Sequence, residues 1–319
     1  MSVDMTAQPT TPKLATARDY VELLKPRIMM LVVFTALAGL VAAIGVTGQG
    51  LNPILATVAI LAVALGSGAA GAINMWYDAD IDAVMTRTST RPVPSGAIPK
   101  DEALTMGLIM SAVSVLLMWI ATNVLAAGLL ALSIVYYGWF YTMVLKRRTA
   151  QNIVIGGAAG AFPPVIGWAA VTGNTPLDAW ILFAIIFFWT PPHFWALSLV
   201  AHKEYEKAGV PMLPVTSGAK STRYHILGYS ILLAPIGLAP LLTDLGGMIY
   251  AAIAGLLTAI FLYLAVKVWR SKAGDAEAGD SERKLAMGMF AFSILYLFGL
   301  FAALIIEHGF GLYFPIGGL

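Results

Sequence analysis

Asn74-Met75-Trp76-Tyr77-Asp78-Ala79-Asp80-Ile81-Asp82 closes a long apolar run, and the polar chain beyond it passes Arg87 and Arg91 to reach Pro92-Val93-Pro94-Ser95-Gly96. On a helix, positions i, i+4 and i+8 drift by only about 40° per step and rise ~6 Å each. Asn74, Asp78 and Asp82 therefore share one stripe, with their carboxylates one turn apart. Like charges that close repel unless a cation lies between them, and hard oxygen ligands suit Mg²⁺. Asp80 points to the opposite face and is left out of the set. The plainer alternative is a solvated helix end that happens to be acidic.

The rest of the chain is a membrane sequence. Of its 319 residues 59% are hydrophobic and only 11% charged, and the mean hydropathy is +0.81. A soluble domain carries about 25% charged residues, so a polytopic membrane protein is expected, with the lipid bilayer as its solvent. A net charge of +2 gives no reason to expect nucleic acid, and the absence of cysteine excludes disulfides and thiolate chemistry. The first 27 residues are polar, show no cleavable signal peptide and match a mitochondrial transit peptide poorly. A bacterial inner membrane is the expected location.

Nine apolar runs are long enough to span: roughly 28–46, 54–77, 103–122, 124–144, 152–171, 178–200, 224–243, 247–268 and 285–306. All 19 lysines and arginines fall in the N-terminal segment, the 78–102, 145–151 and 201–223 loops, or the stretch from Lys267 to Lys284. The intervening connections have none. The positive-inside rule then puts the N-terminus in the cytoplasm and the C-terminus outside. The expected fold is all-α, a bundle of nine transmembrane helices whose chemistry sits at the cytoplasmic mouth.

An internal repeat divides that bundle. Pro92-Val93-Pro94-Ser95-Gly96-Ala97 lies over Pro214-Val215-Thr216-Ser217-Gly218-Ala219, and Asp82 over Glu204, at an offset of 122. Two parallel four-helix repeats follow, about 25–144 and 145–268, with a ninth helix at about 285–306, a polar segment 1–24 before them and a tail 307–319 after. On this reading Asp82 and Glu204 face each other across one cavity.

Acids at the ends of apolar helices need partners. Arg87 and Arg91 follow the stripe, Lys203 adjoins Glu204, and Lys146, Arg147 and Arg148 lie between spans four and five. Carboxylates holding a divalent cation inside a basic ring fit a diphosphate, bridged by the metal and neutralised by the side chains. Arg87, Arg91, Lys146 and Arg147 are the expected phosphate contacts, with Lys203 less central. Tyr141, just before Lys146, either donates to the same group or is an interfacial aromatic.

Asn74-x3-Asp78-x3-Asp82 with Arg87 and Arg91-Pro92 resembles the first aspartate motif of the UbiA-type intramembrane prenyltransferases. Further stretches are similar to the branch of that family whose acceptor is haem b. They are Tyr141-Thr142 with Leu145-Lys146-Arg147, Gln151 to Gly157, Pro163-Pro164-Val165-Ile166-Gly167-Trp168, Trp189 to Leu197, and Ala208 to Val215. The resemblance runs from about Lys25 to the ninth span. It implies farnesyl transfer from farnesyl diphosphate to a haem vinyl group, with Mg²⁺ held by Asn74, Asp78 and Asp82. It also implies a reduced second acidic motif, here His202-Lys203-Glu204-Tyr205, so Glu204 is expected as an additional or water-mediated ligand. A haem A synthase or an oxidase assembly factor would be a natural receiver of the product.

His193 is the one histidine inside an apolar run, just after Pro191-Pro192. The prolines are expected to break the sixth helix's hydrogen-bond ladder towards the cavity. His193 then either contacts haem, as an iron ligand or by orienting the macrocycle, or bonds carbonyls that the prolines free. Two rival readings remain: a sister enzyme that prenylates an aromatic acid or quinone precursor, and a secondary transporter. The transporter would place acids near the midplane, whereas here every Asp and Glu lies at or beyond a span end.

Overall fold

The computed structural model describes residues 15–316. The first 14 residues of the polar N-terminal segment and the last three of the tail lie outside the described residues. The rest is helical, with no strand among the described residues. A short helix α1 (Ala17–Leu23) opens the chain, capped by Thr16 and Asp19 in a reciprocal box. Among the described residues nine helices then have the length and apolarity to cross a membrane. They are α2 (Pro26–Thr47), α3 (Pro53–Tyr77), α5 (Lys100–Ala121), α6 (Val124–Leu145), α7 (Asn152–Thr172), α8 (Leu177–Lys207), α10 (Gly218–Leu238, prolonged by a 3₁₀ turn to Leu242), α11 (Met248–Arg270) and α12 (Asp280–Gly309). Two short helices, α4 (Ala79–Val84) and α9 (Leu213–Thr216), lie in the two long loops.

Local chemistry sets these limits. Proline opens α2 and α3 at positions where a missing N–H costs nothing, and the Asn52 side chain accepts from Ile54 N at 2.9 Å. Asn123 caps α6 in the same way. Exposed side chains such as Leu61, Ile109, Leu116 and Leu256 cover the outside of the bundle, as expected of a surface solvated by acyl chains. The chain is a multi-pass membrane protein.

Consecutive spans pack side by side, α3 along α5, α7 along α8 and α10 along α11. α12 closes the ring against α2 and α8. α7 is the most enclosed span, with 72% of its apolar window buried, and α2 crosses it. There the backbones touch: a Cβ on Gly39 would stand 2.2 Å from the Pro164 carbonyl oxygen, and one on Gly167 2.0 Å from that of Ala36. Small residues permit this approach.

The prolines behave differently from expectation. α8 runs unbroken through Pro191 and Pro192, and α7 through Pro163 and Pro164. Proline's fixed φ suits a helix, and neighbouring helices can satisfy the carbonyls it strands. In α7 the Ser133 hydroxyl from α6 donates to Ala159 O at 3.2 Å, one turn before Pro163.

At the opposite end of the bundle from the acidic stripe, Glu307 of α12 is fully buried. Its carboxylate accepts from Gly247 N and Tyr250 N, both at 2.8 Å, and so caps α11 from another helix. Glu307→Ala strands both amides and should destabilise the bundle by ~3 kcal/mol. Glu307→Gln, which keeps one acceptor, should cost less, as a thermal melt in detergent would measure.

Candidate active site

The acidic stripe survives a break in its helix. α3 ends at Tyr77 and α4 begins at Ala79, with Asp78 between them at φ −86°, ψ 7°. Asp78 N still donates to Asn74 O and Asp82 N to Asp78 O, at 2.9 and 2.8 Å, so the four-residue register continues across the junction. Asn74, Asp78 and Asp82 are all buried, and each is held by a different basic side chain. Lys25 donates to Asn74 Oδ1, Lys146 donates to Asp78 Oδ2, and Arg91 donates to Asp82 Oδ2 at 2.7 Å. Asn74 turns its amide group to Asp78 Oδ2 and Thr142 Oγ1, at 2.8 and 2.9 Å. Asp78 Oδ1 is buried with no hydrogen-bond partner.

Lys25 and Thr142 were not singled out from sequence. Lys25 is the one non-glycine residue with positive φ (53°) among the described residues, at the turn into α2. That left-handed kink aims its side chain across to α3. Burial, and then the nearby Arg91 and Lys146, push its amine down to about 7, partly offset by Asp82 and Asp78. Thr142 owes its place to the wide winding of α6 over Tyr136–Leu145. Its hydroxyl donates to Tyr137 O, and Lys146 N to Tyr141 O, both five residues back. In an α-helix, residues five apart lie ~140° apart. A π-helix brings them onto one side, and such stretches favour functional sites. Tyr141 and Lys146 thus share a face, the one from which Lys146 reaches Asp78.

Asp80, left out on grounds of helix geometry, has a partner. Arg147 clasps it in a two-pronged pair at 2.8 and 2.6 Å, covers the Tyr77 ring at 4.8 Å, and reaches only 3.7 Å from Asp78 Oδ1. That clasp holds the Asp80 carboxyl down at about 2 and raises the Arg147 guanidinium. Arg147 is therefore tethered at the rim of the cluster rather than free inside it. Arg87 is exposed and lies near the Tyr205 hydroxyl. There Ile81, Met85, Ile153, Tyr205, Val210 and Met212 form one apolar cluster, which joins the two long loops. Glu204 is half-buried beside Tyr205 and, among the described residues, pairs with none of the cations at the stripe, and Lys203 is exposed. Among the described residues no three carboxylates or histidines converge as a ready-made metal cage.

His193 lies at a comparable depth. A Cβ on Gly156 would strike the Tyr141 ring at 2.2 Å, and one on Gly157 would meet Thr190 Cγ2 at 2.8 Å, so α7 packs against both Tyr141 and the turn of α8 just before His193. The imidazole is stacked between Trp189 and Phe290, with centroids 4.3 and 4.5 Å away. Its Nδ1 meets Ser293 Oγ at 2.6 Å. Its partners thus come from α12. They are not the Phe187 and Phe188 carbonyls that Pro191 and Pro192 strand, because the unbroken α8 carries His193 round to the α12 side.

Residues 32–294 match the UbiA prenyltransferase family. The chain belongs to that family. Among its UbiA relatives, the Protoheme IX farnesyltransferase of Hyphomonas neptunium is 70% identical over 315 residues, covering 99% of each chain. The Protoheme IX farnesyltransferase of Caulobacter vibrioides is 55% identical over 321 residues, covering 96% of this chain and 95% of its own. The same UbiA fold recurs in a digeranylgeranylglyceryl phosphate synthase, at TM-score 0.71 and 17% identity over 91% of this chain and 97% of the other. It recurs again in a UbiA homologue from Archaeoglobus fulgidus bound to GPP and Mg²⁺, at TM-score 0.65 and 18% identity over 90% and 99%.

Proposed function

We propose that this protein transfers the farnesyl group of farnesyl diphosphate to a vinyl group of haem b, giving haem O and diphosphate. The observation that carries the donor half is the buried stripe of Asn74, Asp78 and Asp82 with one basic side chain on each member. The acceptor half rests on the relatives named Protoheme IX farnesyltransferase.

The residues fit a divalent cation. Asp78 Oδ1 is a buried carboxylate oxygen with no donor, and Asp82 stands one turn on, both of them hard oxygen ligands. Asn74 and Glu204 complete the proposed set, Glu204 through water. Mg²⁺ bound there would take up charge that develops on the diphosphate oxygens. Arg91 and Lys146 now neutralise the carboxylates of the stripe, and with Lys25 they are within reach of an anion laid over it. Tyr141 donates to the same anion, and Arg87, Arg147 and Lys203 line its outer edge.

As the allylic C–O bond breaks, its electron pair leaves on diphosphate, where these cations stabilise it. The vinyl π electrons attack the allylic carbon. Water then bonds to the cationic carbon beside the porphyrin and loses a proton, which gives the hydroxyl of the tail. No enzyme nucleophile is needed, so the lack of cysteine is no obstacle. Apolar helix walls keep water scarce until that last step.

The basic loops support a cytoplasmic site in a bacterial inner membrane. The two-repeat division, with 25–306 as one prenyltransferase domain, belongs to the same proposal, as do a haem A synthase or oxidase assembly factor as receiver. Incubating the purified protein with haem b, farnesyl diphosphate and Mg²⁺ should yield a haem heavier by the farnesyl group and one hydroxyl. Unmodified haem, with an aromatic acid prenylated instead, would assign it to the sister reaction.

Lys25 supplies a pH test. In the folded chain its amine is neutral between about pH 7 and the ordinary lysine value, so anion binding in that window takes up a proton. Affinity for farnesyl diphosphate should fall as pH rises above 7, by at most ~10-fold per unit. Lys25→Arg stays charged and should flatten that slope. An unchanged slope in calorimetry would remove Lys25 from the anion.

A further inference from the structure

Ser293 lies in the apolar middle of α12, 13 residues beyond Asp280 at its start, yet two polar groups of α8 reach it. The Trp189 indole donates to Ser293 O at 2.6 Å, and His193 Nδ1 meets Ser293 Oγ at 2.6 Å. The hydroxyl has one proton, and its position is settled by a third contact. Ser293 Oγ lies 2.6 Å from the Phe290 carbonyl oxygen, which only accepts, so the serine proton goes there. Towards His193 the hydroxyl is then an acceptor, and Nδ1 must carry the hydrogen.

With the proton on Nδ1, the lone pair is on Nε2. That nitrogen has no partner among the described residues. It also remains accessible, unlike the indole nitrogens of Trp168 and Trp195, which are enclosed without one. Trp189 and Phe290 clamp both faces of the ring, so only its edges are open to chemistry. A histidine that ligates a metal through one nitrogen donates its other N–H to a fixed acceptor, and that acceptor sets tautomer and aim.

We infer that Ser293 is a positioning residue that holds His193 with its proton on Nδ1, so that Nε2 is offered as a ligand to the iron of haem b. The inference rests on haem b being the acceptor. Through Ser293, α12 takes part in acceptor binding without touching the acceptor.

The test is a haem b titration of the full-length protein in nanodiscs without farnesyl diphosphate, read by the Soret band and by the electron paramagnetic resonance of the ferric form. His193→Ala should lose the histidine-ligated spectrum and weaken binding ~10–100-fold. Ser293→Ala and the isosteric Ser293→Val should shift the spectrum and weaken binding ~10-fold, while Ser293→Thr keeps the hydroxyl and the wild-type spectrum. A merely structural serine would change thermal stability and leave the spectrum alone. Wild-type spectra in Ser293→Val alongside a changed His193→Ala would overturn the positioning role. A wild-type spectrum in His193→Ala would overturn the ligand role, and the mass of the haem product would then show separately whether farnesyl transfer still stands.

Discussion

Asp78→Asn is expected to lower farnesyl transfer by ~10³-fold or more while leaving the bundle folded. The carboxylate is buried, its Oδ2 takes hydrogen bonds from Asn74 and Lys146, and its Oδ1 is the open position of the cluster. An amide of the same shape keeps the volume and one acceptor but removes the charge that a divalent cation requires. Lys146 loses its partner, yet its side chain is 17% exposed, so water tempers the penalty and only a modest drop in melting temperature should follow. Asp82→Asn should behave alike, leaving Arg91 unpaired. Asp80→Asn is the control. Its carboxylate is 57% exposed and clasped by Arg147 outside the stripe, so turnover should change by less than ~3-fold. Mass analysis of the haem product, beside a thermal melt of each variant, makes the comparison. Equal losses at 78 and 80 would mean that general negative charge, not the stripe, matters.

Much of this site was legible because helical period and bilayer thickness are strong constraints. Twenty apolar residues in lipid have few alternatives to a spanning helix, so nine spans could be read with ends a few residues short. α8, for instance, runs on to Lys207 and α12 starts at Asp280. The stripe was legible because four-residue spacing survives a small kink at Asp78. What escaped the sequence depends on contacts between distant segments. Lys25 reaches Asn74 only through a left-handed turn, and Thr142 aligns with the stripe only because α6 is wound wide. Asp80 was set aside because helix geometry turns it from the stripe, and geometry on one helix cannot know that Arg147 waits on the other side. Pro191-Pro192 read as a break because propensity weighs the lost hydrogen bonds of one helix. The bundle supplies what that helix lacks.

Gly167→Ala should destabilise the bundle by ~3 kcal/mol or more, the high end for overpacking. The added methyl would stand 2.0 Å from Ala36 O, 2.9 Å from Leu40 N and 3.0 Å from Ala36 C, all backbone atoms of α2. No side chain can rotate away to relieve that contact, so α2 and α7 must separate. Gly39→Ala meets the reciprocal obstacle, the Pro164 backbone, and should cost a similar amount. Gly128→Ala and Gly160→Ala are the controls, since a Cβ at either meets nothing within 4 Å. Better helix propensity should make them neutral or stabilising by up to ~1 kcal/mol. The damage at Gly167 should extend to activity. α2 starts at the residue after Lys25, and α7 starts just beyond the loop that carries Lys146, so forcing these helices apart moves two cations of the site away from each other. Unfolding of the four variants in detergent, with farnesyl transfer measured below the transition, tests both parts. If Gly167→Ala were as stable as wild type, the close crossing of α2 and α7 would be wrong, and with it the placement of Lys25 against Asn74.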